Sequence, residues 1–445
     1  MTTQEEVPDE PGLSADDLRD AWPVLSVDDR IQGFRMLAQA EAEDFFLSMP
    51  ARDQAELLTV LPVHSRRSWM RLLAPDDAAD LVQQVPPEQR EALLGLLDLP
   101  TRKEVRALLA YAEDAAGGLM NPRYARVRPD MTVDEAIAYL KKQARERLLE
   151  TIYYVYVLDE QQHLLGVVSF RELFAAPTNT KVRDVMQEQV VCVHADQDQE
   201  SVSRLFADHD LIAIPVVDAE NRVQGIVTLD DIVDVVQEEA TEDIQKIGGM
   251  EALDAPYLSV ELWSMVKKRG GWLAALFLGE MLTASAMAYF EDEIAKAVVL
   301  ALFVPLIISS GGNSGSQATT LVIRAMALDE VRLRDWWRVA RRELAAGVTL
   351  GFFLGCIGFA RIVLWQMVSP LYGPQYLRIA FTVWGSLIGV VLFGTVAGSL
   401  LPFILKKLGF DPASASAPFV ATLVDVTGLV IYFTVASIIL RGTLL

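Results

Sequence analysis

Two acids stand where acids are expensive. Asp425 and Glu280 each interrupt a long apolar run, and a charge inside hydrocarbon costs at least a few kcal/mol, so such residues face a bundle interior or a water-filled path. Asp425 lies 13 residues beyond Pro412, about 20 Å of helix rise. Its neighbours, Ala421 to Val424 and Val426 to Gly428, are small or apolar and allow another helix to come close. The bland alternative for either acid is a buried carboxyl that ties helices together. A second constellation is Pro305-Leu-Ile-Ile-Ser-Ser-Gly-Gly-Asn-Ser-Gly-Ser-Gln317, whose glycines (Gly312 and Gly315 among them), serines and amides fall in mid-span. Irregular backbone at that depth survives only beside protein or water and commonly lines a transport path. Asn313 and Gln317, at i and i+4, would share a face and offer amide oxygens. The alternative is a kinked helix packed tightly at its glycines. One carboxylate with amide, hydroxyl and carbonyl oxygens suits a hard cation. It is too little for a dehydrated divalent ion and fits Mg²⁺, which sheds water reluctantly. The only histidines are His64, His163, His194 and His209, and the only cysteines Cys192 and Cys356, so no zinc or copper set is visible.

These residues need spans to hold them. The apolar runs near 271–290, 294–327, 338–366, 377–404 and 413–440 each approach or exceed the roughly 20 residues that cross a hydrocarbon core. Lys267 to Arg269, the run Arg332 to Arg342, and Lys406 with Lys407 alternate with poorly charged loops. By the positive-inside rule the residues before the spans are cytoplasmic and the C-terminus is outside. The acidic start, Met1 to Glu10, does not read as a signal peptide, so the first span is expected to be the insertion signal.

The composition divides at the same place. The chain's 445 residues carry a net charge of -21 and yet a mean hydropathy of +0.26. Residues 1–270 hold 50 acids and 27 bases, whereas 271–445 hold 10 and 12. The apolar fraction excludes a disordered acidic chain, the acidic surface argues against nucleic acid as a partner, and two cysteines exclude a disulfide scaffold. Within the acidic part, Leu229 to Asp243 contains neither Pro nor Gly and is expected to be helical. Asp231, Asp234, Glu238 and Glu242 then form one stripe, with Glu239 and Asp243 beside it. Crowded like charges would drive domains apart unless cations bridge them, which is a means of sensing a divalent ion; a merely solvated acidic helix is the alternative. Upstream, Pro50 and Pro62 recur as Pro86 and Pro100 after similar segments, a period of 36 to 38 residues that predicts stacked helical pairs. Asp76 and Asp80, one turn apart, are weak ligand candidates there.

A second repeat places Asp159 and Gly166 in register with Asp218 and Gly225, 59 residues on, each unit reading as helix, strand, turn, strand, helix. It resembles the CBS pair, a regulatory module that often binds adenine nucleotides. The ribose-binding pattern is met by Thr228 and Asp231; in the first copy it becomes Ser169 and Glu172. Beyond this, Tyr111-Ala-Glu-Asp-Ala-Ala-Gly-Gly-Leu-Met120, Glu239-Ala-Thr-Glu-Asp-Ile-Gln-Lys-Ile-Gly-Gly-Met250, Gly311-Gly-Asn-Ser-Gly-Ser-Gln317 and Ala421-Thr-Leu-Val-Asp-Val-Thr-Gly428 resemble the MgtE magnesium channels in family order over nearly the whole chain. The resemblance implies a homodimer in the lipid bilayer of the cytoplasmic membrane, with one pore and a hydrated Mg²⁺ near Asp425. It implies regulatory Mg²⁺ ligands at Gly118 (backbone), Glu200, Asp210, Asp231, Asp234, Glu239, Glu242, Asp243 and Asp411, and ATP contacts near Tyr154, Arg171 and Glu172. The expected architecture is multidomain: a disordered tail at 1–13, an all-α cytoplasmic domain at 14–122, an α/β tandem CBS pair at 123–180 and 181–244, an amphipathic connecting (plug) helix at 245–269, and a five-helix transmembrane domain at 270–445. The competing readings are a Co²⁺ or Ni²⁺ transporter of the same fold, a membrane receptor without a pore, and an intramembrane aspartyl protease, which lacks a Gly-x-Gly-Asp-type motif and a second deep acid other than Glu280.

Overall fold

The computed structural model describes residues 13–145, 149–369, 371–442 and 444, so the expected tail at 1–13 lies almost wholly outside the described residues. The chain forms two compact units, Met1–Glu238 and Glu239–Leu445.

In the first unit short helices come first: α1 (Ala15–Ala21), α2 (Val27–Met36), α3 (Gln39–Leu47), α4 (Ala51–Val60), α5 (Val63–Met70), α6 (Pro75–Gln83), α7 (Pro87–Leu94) and α8 (Leu99–Leu108). The repeating prolines start helices rather than merely end them. Pro50, Pro62 and Pro86 are the N-cap residues of α4, α5 and α7, and Pro100 lies in the first turn of α8. A helix start wastes nothing on proline, because its missing N–H would be unpaired there anyway. Phe34, Phe45, Phe46, Leu58, Met70 and Leu81 fill the shared core.

After α9 (Ala116–Leu119) come two sheets of equal topology. In the first, β1 (Arg126–Val127) pairs parallel with β2 (Tyr154–Leu158), which pairs antiparallel with β3 (Leu164–Ser169). The second repeats this with β4 (Val193–His194), β5 (Ala213–Val217) and β6 (Val223–Thr228). Even the register shift recurs, after Val157 and after Val216, so the 59-residue repeat is a repeat of strand geometry. The leading strands were not expected; at two residues each they have no readable alternation. Helices α10 (Val133–Arg145), α11 (Phe170–Ala175) and α12 (Gln199–His209) cover the sheets, and α13 (Leu229–Ile247) follows β6 as the expected acidic helix.

The second unit holds five segments long and apolar enough to span a membrane: Leu262–Tyr289, Val298–Ala327, Leu333–Val368, Tyr376–Lys407 and Ala417–Leu440. Their main helices are α14 (Leu262–Tyr289), α16 (Val304–Ala327), α17 (Trp336–Val368), α18 (Tyr376–Lys407) and α19 (Ala417–Leu440), with a short α15 (Glu291–Lys296) after the first. Two expectations need correction. Residues 245–269 are not one helix: α13 ends at Ile247, a turn follows in which Gly249 takes φ +76°, and 262–269 are the first two turns of α14. The pair Gly248-Gly249 ends α13 because the left-handed conformation favours glycine. Nor does the backbone break at Gly311 to Gly315. Helix α16 runs through it, and the irregular stretch is the 3₁₀ turn Val298–Phe303 just before.

Candidate membrane cavity and acidic contact

The glycines of α16 let α18 come close. A Cβ on Gly311 would stand 3.0 Å from the Val390 carbonyl oxygen, and one on Gly315 2.9 Å from that of Gly394. Thr319 closes the contact by donating both to Gly315 and to the Gly398 carbonyl at 2.9 Å. This is small-residue packing of membrane helices, the alternative the sequence left open for this segment.

The opposite face of α16 is different. Pro305, Ile308, Ser309, Gly312, Asn313 and Ser316 line a cavity of about 430 Å³ with Glu280 and Thr283 from α14 and Ala421 and Asp425 from α19. Six waters, at about 30 Å³ each, would take less than half of it. Of the expected residues, Asp425, Asn313 and Gly312 line this cavity. Gly315 faces α18 and Gln317 is exposed, so these two do not. Ser309 and Ser316 were missed, although Ser309, Gly312, Asn313 and Ser316 form a readable i, i+3, i+4, i+7 stripe. Thr283 and Ala421, one turn from Glu280 and Asp425, follow the same rule.

At the α18–α19 turn, Asp411 accepts from the Ala413 N–H at 2.8 Å and pairs with Lys246 Nζ at 2.6 Å. Lys246 also pairs with Glu242. Burial works against its charge, yet hydrogen bonds to Asp411 and Glu242 outweigh that and raise its pKa. Here Glu242 and Asp411 do come together, around an ammonium. Glu239 and Asp243 lie on the same half of α13.

A second group of acids lies within the first unit. Asp76 on α6 is 6% exposed, and its carboxylate accepts from the side-chain amide of Asn121 at 3.1 Å. The same amide donates to Glu150 at 2.9 Å. Asn121 is fully buried and exchanges backbone hydrogen bonds with Ile226, which fixes the amide in place. Burial, then Asp231, Asp77 and Glu150, push Asp76 well above the usual carboxylate range. Burial with Asp77, Asp231, Glu113 and Glu238 raises Asp80 to about 7, and burial with Asp230 and Asp77 raises Asp231 to about 7 although Thr228 Oγ1 donates to it at 2.8 Å. Burial also raises Asp77, with Asp230 and Asp234 adding to it, and Glu150. Thus Asp76, Asp80, Asp231 and Asp234 belong to one field of mutual repulsion. Glu113, Glu150, Asn121, Asp77 and Asp230 were missed; the doublets Asp76-Asp77 and Asp230-Asp231 were visible, the long-range partners were not.

The remaining expected ligands do not join this field. Glu200 is paired with Arg204. Asp210 ends α12 in the left-handed conformation at φ +51°. Gly118 sits in α9, where an added Cβ would meet the Glu113 carbonyl at 3.0 Å. Among the described residues, no group of three or more His, Cys, Asp or Glu side chains is arranged to hold a metal ion. At the first sheet, Tyr154 pairs with Ser169 across β2 and β3, beside Arg171. The Glu172 carboxylate caps its own helix through Ser169 and accepts from Gln187 at 3.0 Å, and the Ser169 hydrogen bonds hold its pKa low.

Comparison with known proteins agrees with this division. The MgtE intracellular N domain model matches 13–114, the CBS domain model 116–179 and 182–238, and the MgtE divalent cation transporter model 304–435. A magnesium transporter MgtE of Thermus thermophilus is 43% identical over 76% of this chain and 73% of its own length. One from Enterococcus faecalis is 35% identical over 76% and 72%. A solved cytosolic domain of the Mg²⁺ channel MgtE in complex with ATP is 43% identical, covering 50% of this chain and 90% of its own, with a TM-score of 0.47. With its helical domain, its paired sheets and its five apolar spans found in the family's order, the chain belongs to the MgtE family of divalent cation transporters and is not an enzyme.

Proposed function

We propose that the protein carries Mg²⁺ into the cytoplasm through the cavity at Asp425, and that Mg²⁺ bound by its acidic cytoplasmic half shuts the path. The observation that carries the reading is the cavity itself: Asp425 from α19 and the amide and hydroxyls of Asn313, Ser309 and Ser316 from α16 line it together, at a size that admits a hydrated ion. A hard, reluctantly dehydrated cation is the cargo such oxygens suit. Relatives named as magnesium transporters support the choice of ion. A homodimer is part of the proposal. Helix α14 buries none of its residues within the protomer and leaves an apolar surface for lipid and a second copy. The N-terminal half is assigned to the cytoplasm and the C-terminus to the outside.

For the gate, Asp76, Asp80, Asp231 and Asp234 are the sensor acids that share the repulsive field of the first unit, with Glu239, Glu242, Asp243 and Asp411 a second group and Gly118, Glu200 and Asp210 further candidates. When Mg²⁺ is scarce their repulsion opens the contact between the helical domain and the sheets; when it is abundant, the ion neutralises them. ATP is assigned to the Tyr154 and Arg171 end of the first sheet as a modulator. Binding of a fluorescent ATP analogue that Arg171→Ala abolishes would support it, and unchanged binding would remove that contact. Asp425→Ala should abolish Mg²⁺ flux in proteoliposomes, and undiminished flux would sink the pore assignment. The family's breadth favours one second reading, Co²⁺ or Ni²⁺ as a main cargo, which competition of each ion with Mg²⁺ flux decides.

A further inference from the structure

Glu280 has no part in the mechanism above, yet it is the only charged residue between Arg269 and Glu291. Most of that stretch is apolar, with Leu273, Phe277, Leu278, Met281 and Leu282 exposed on the protomer surface. A carboxyl among them is not explained by lipid contact.

The way Glu280 is held gives a reason. Helix α14 approaches α19 at Gly279, where an added Cβ would lie 3.1 Å from Thr422 Cγ2. This close approach comes one residue before Glu280 and three before Asp425. Both carboxyls therefore line the same cavity. Thr283, one turn on, lines the cavity too and donates to Glu280 at 3.3 Å. One weakly placed hydroxyl does not neutralise a carboxylate, and among the described residues the ion pairs leave out both acids.

We propose that Glu280 determines specificity in the cation path: it is a second fixed carboxylate at the Asp425 cavity, and it makes that cavity prefer a hydrated divalent cation over a monovalent one. The inference rests on the reading of Asp425 as a pore residue. Coulomb attraction scales with the product of charges. Adding a second carboxylate therefore gains a divalent ion twice what it gains a monovalent ion at the same place, and rings of acids are how cation channels set such preferences. A Glu280 that only tied α14 to α19 would change stability when altered, and not ion preference.

The test is Mg²⁺ influx into proteoliposomes as a function of Mg²⁺ concentration, with K⁺ influx measured in Mg²⁺-free buffer and assembly checked by size-exclusion chromatography. Glu280→Gln, of equal size, should raise the half-saturating Mg²⁺ concentration about tenfold or more and admit K⁺. Glu280→Asp, which keeps the charge but withdraws it, should fall between the two. If Asp425→Asn stops Mg²⁺ flux while Glu280→Gln keeps the original half-saturation and excludes K⁺, the role of Glu280 is overturned and the Asp425 site stands. If Asp425→Asn leaves flux undiminished, the site reading fails and takes this inference with it. Should Glu280→Gln not assemble, Glu280→Asp decides, and an unchanged half-saturating concentration overturns the inference.

Discussion

The Asn121 side chain holds two acids with one nitrogen, donating to Asp76 and to Glu150 from a fully buried position. Removing it leaves both carboxyls without that donor. Asn121→Ala should therefore destabilise the chain by about 1 to 3 kcal/mol, seen as a lower thermal unfolding midpoint in Mg²⁺-free buffer, and an unchanged midpoint would show that the amide contributes nothing net. The acids around it make a pH prediction. Asp80 and Asp231 stand at about 7 in the folded chain against an ordinary 3.8. Between those values the folded state holds protons the unfolded state has lost, so stability falls as pH rises through that window and levels off above it. Carboxyls held low, such as Glu172 and Asp159, are ionised throughout the upper part of the range and do not oppose the trend. From about pH 5 to about pH 7.5 without Mg²⁺, the unfolding midpoint should drop, and Mg²⁺ added at the upper pH should restore it. A midpoint that rises with pH would contradict the assignment.

Elements were legible from sequence where one signal governed them, and not where two competed. The five spans and the acidic helix α13 follow from hydropathy and the absence of Pro and Gly, and the structure has them close to where they were expected. The segment Gly311 to Gly315 carried two signals at once. Glycines and serines weaken a helix in water, but between membrane helices they allow close packing, and packing won. The same residues then divide by face, Gly311 and Gly315 toward α18, Gly312 and Asn313 toward the cavity, which a reading of the motif as one broken loop could not separate. Likewise Gly248-Gly249 read as part of a connecting helix until the positive φ at Gly249 ended it. The acidic field around Asp76 was half visible: doublets within α6 and α13 show in sequence, whereas Asn121 and Glu150 reach it only through the fold. Packing at this level is testable. Gly394→Leu would force a side chain into the backbone of α16 at Gly311 and should cost about 1 to 3 kcal/mol or more, read as loss of the folded, monodisperse protein in detergent; normal stability would contradict the close crossing.

Over the whole molecule, nearly all the excess charge belongs to one part and the apolar excess to the other. Residues 1–270 carry a net -23 and 271–445 a net +2. Several of those acids are buried against one another in the first unit, an arrangement that costs free energy unless protons or cations neutralise it. Under the proposed function that cost would make the acidic half responsive to an ion, and the cavity at Asp425 would give the ion a way in. The measurement that joins the two is Mg²⁺ flux into proteoliposomes while the Mg²⁺ concentration on the cytoplasmic side is varied, for the native chain and for one with Asp76, Asp80, Asp231 and Asp234 changed to Asn. Flux through the native chain should fall as cytoplasmic-side Mg²⁺ rises, and the variant should lose that dependence while still conducting. Inhibition that persists unchanged in the variant would contradict the account.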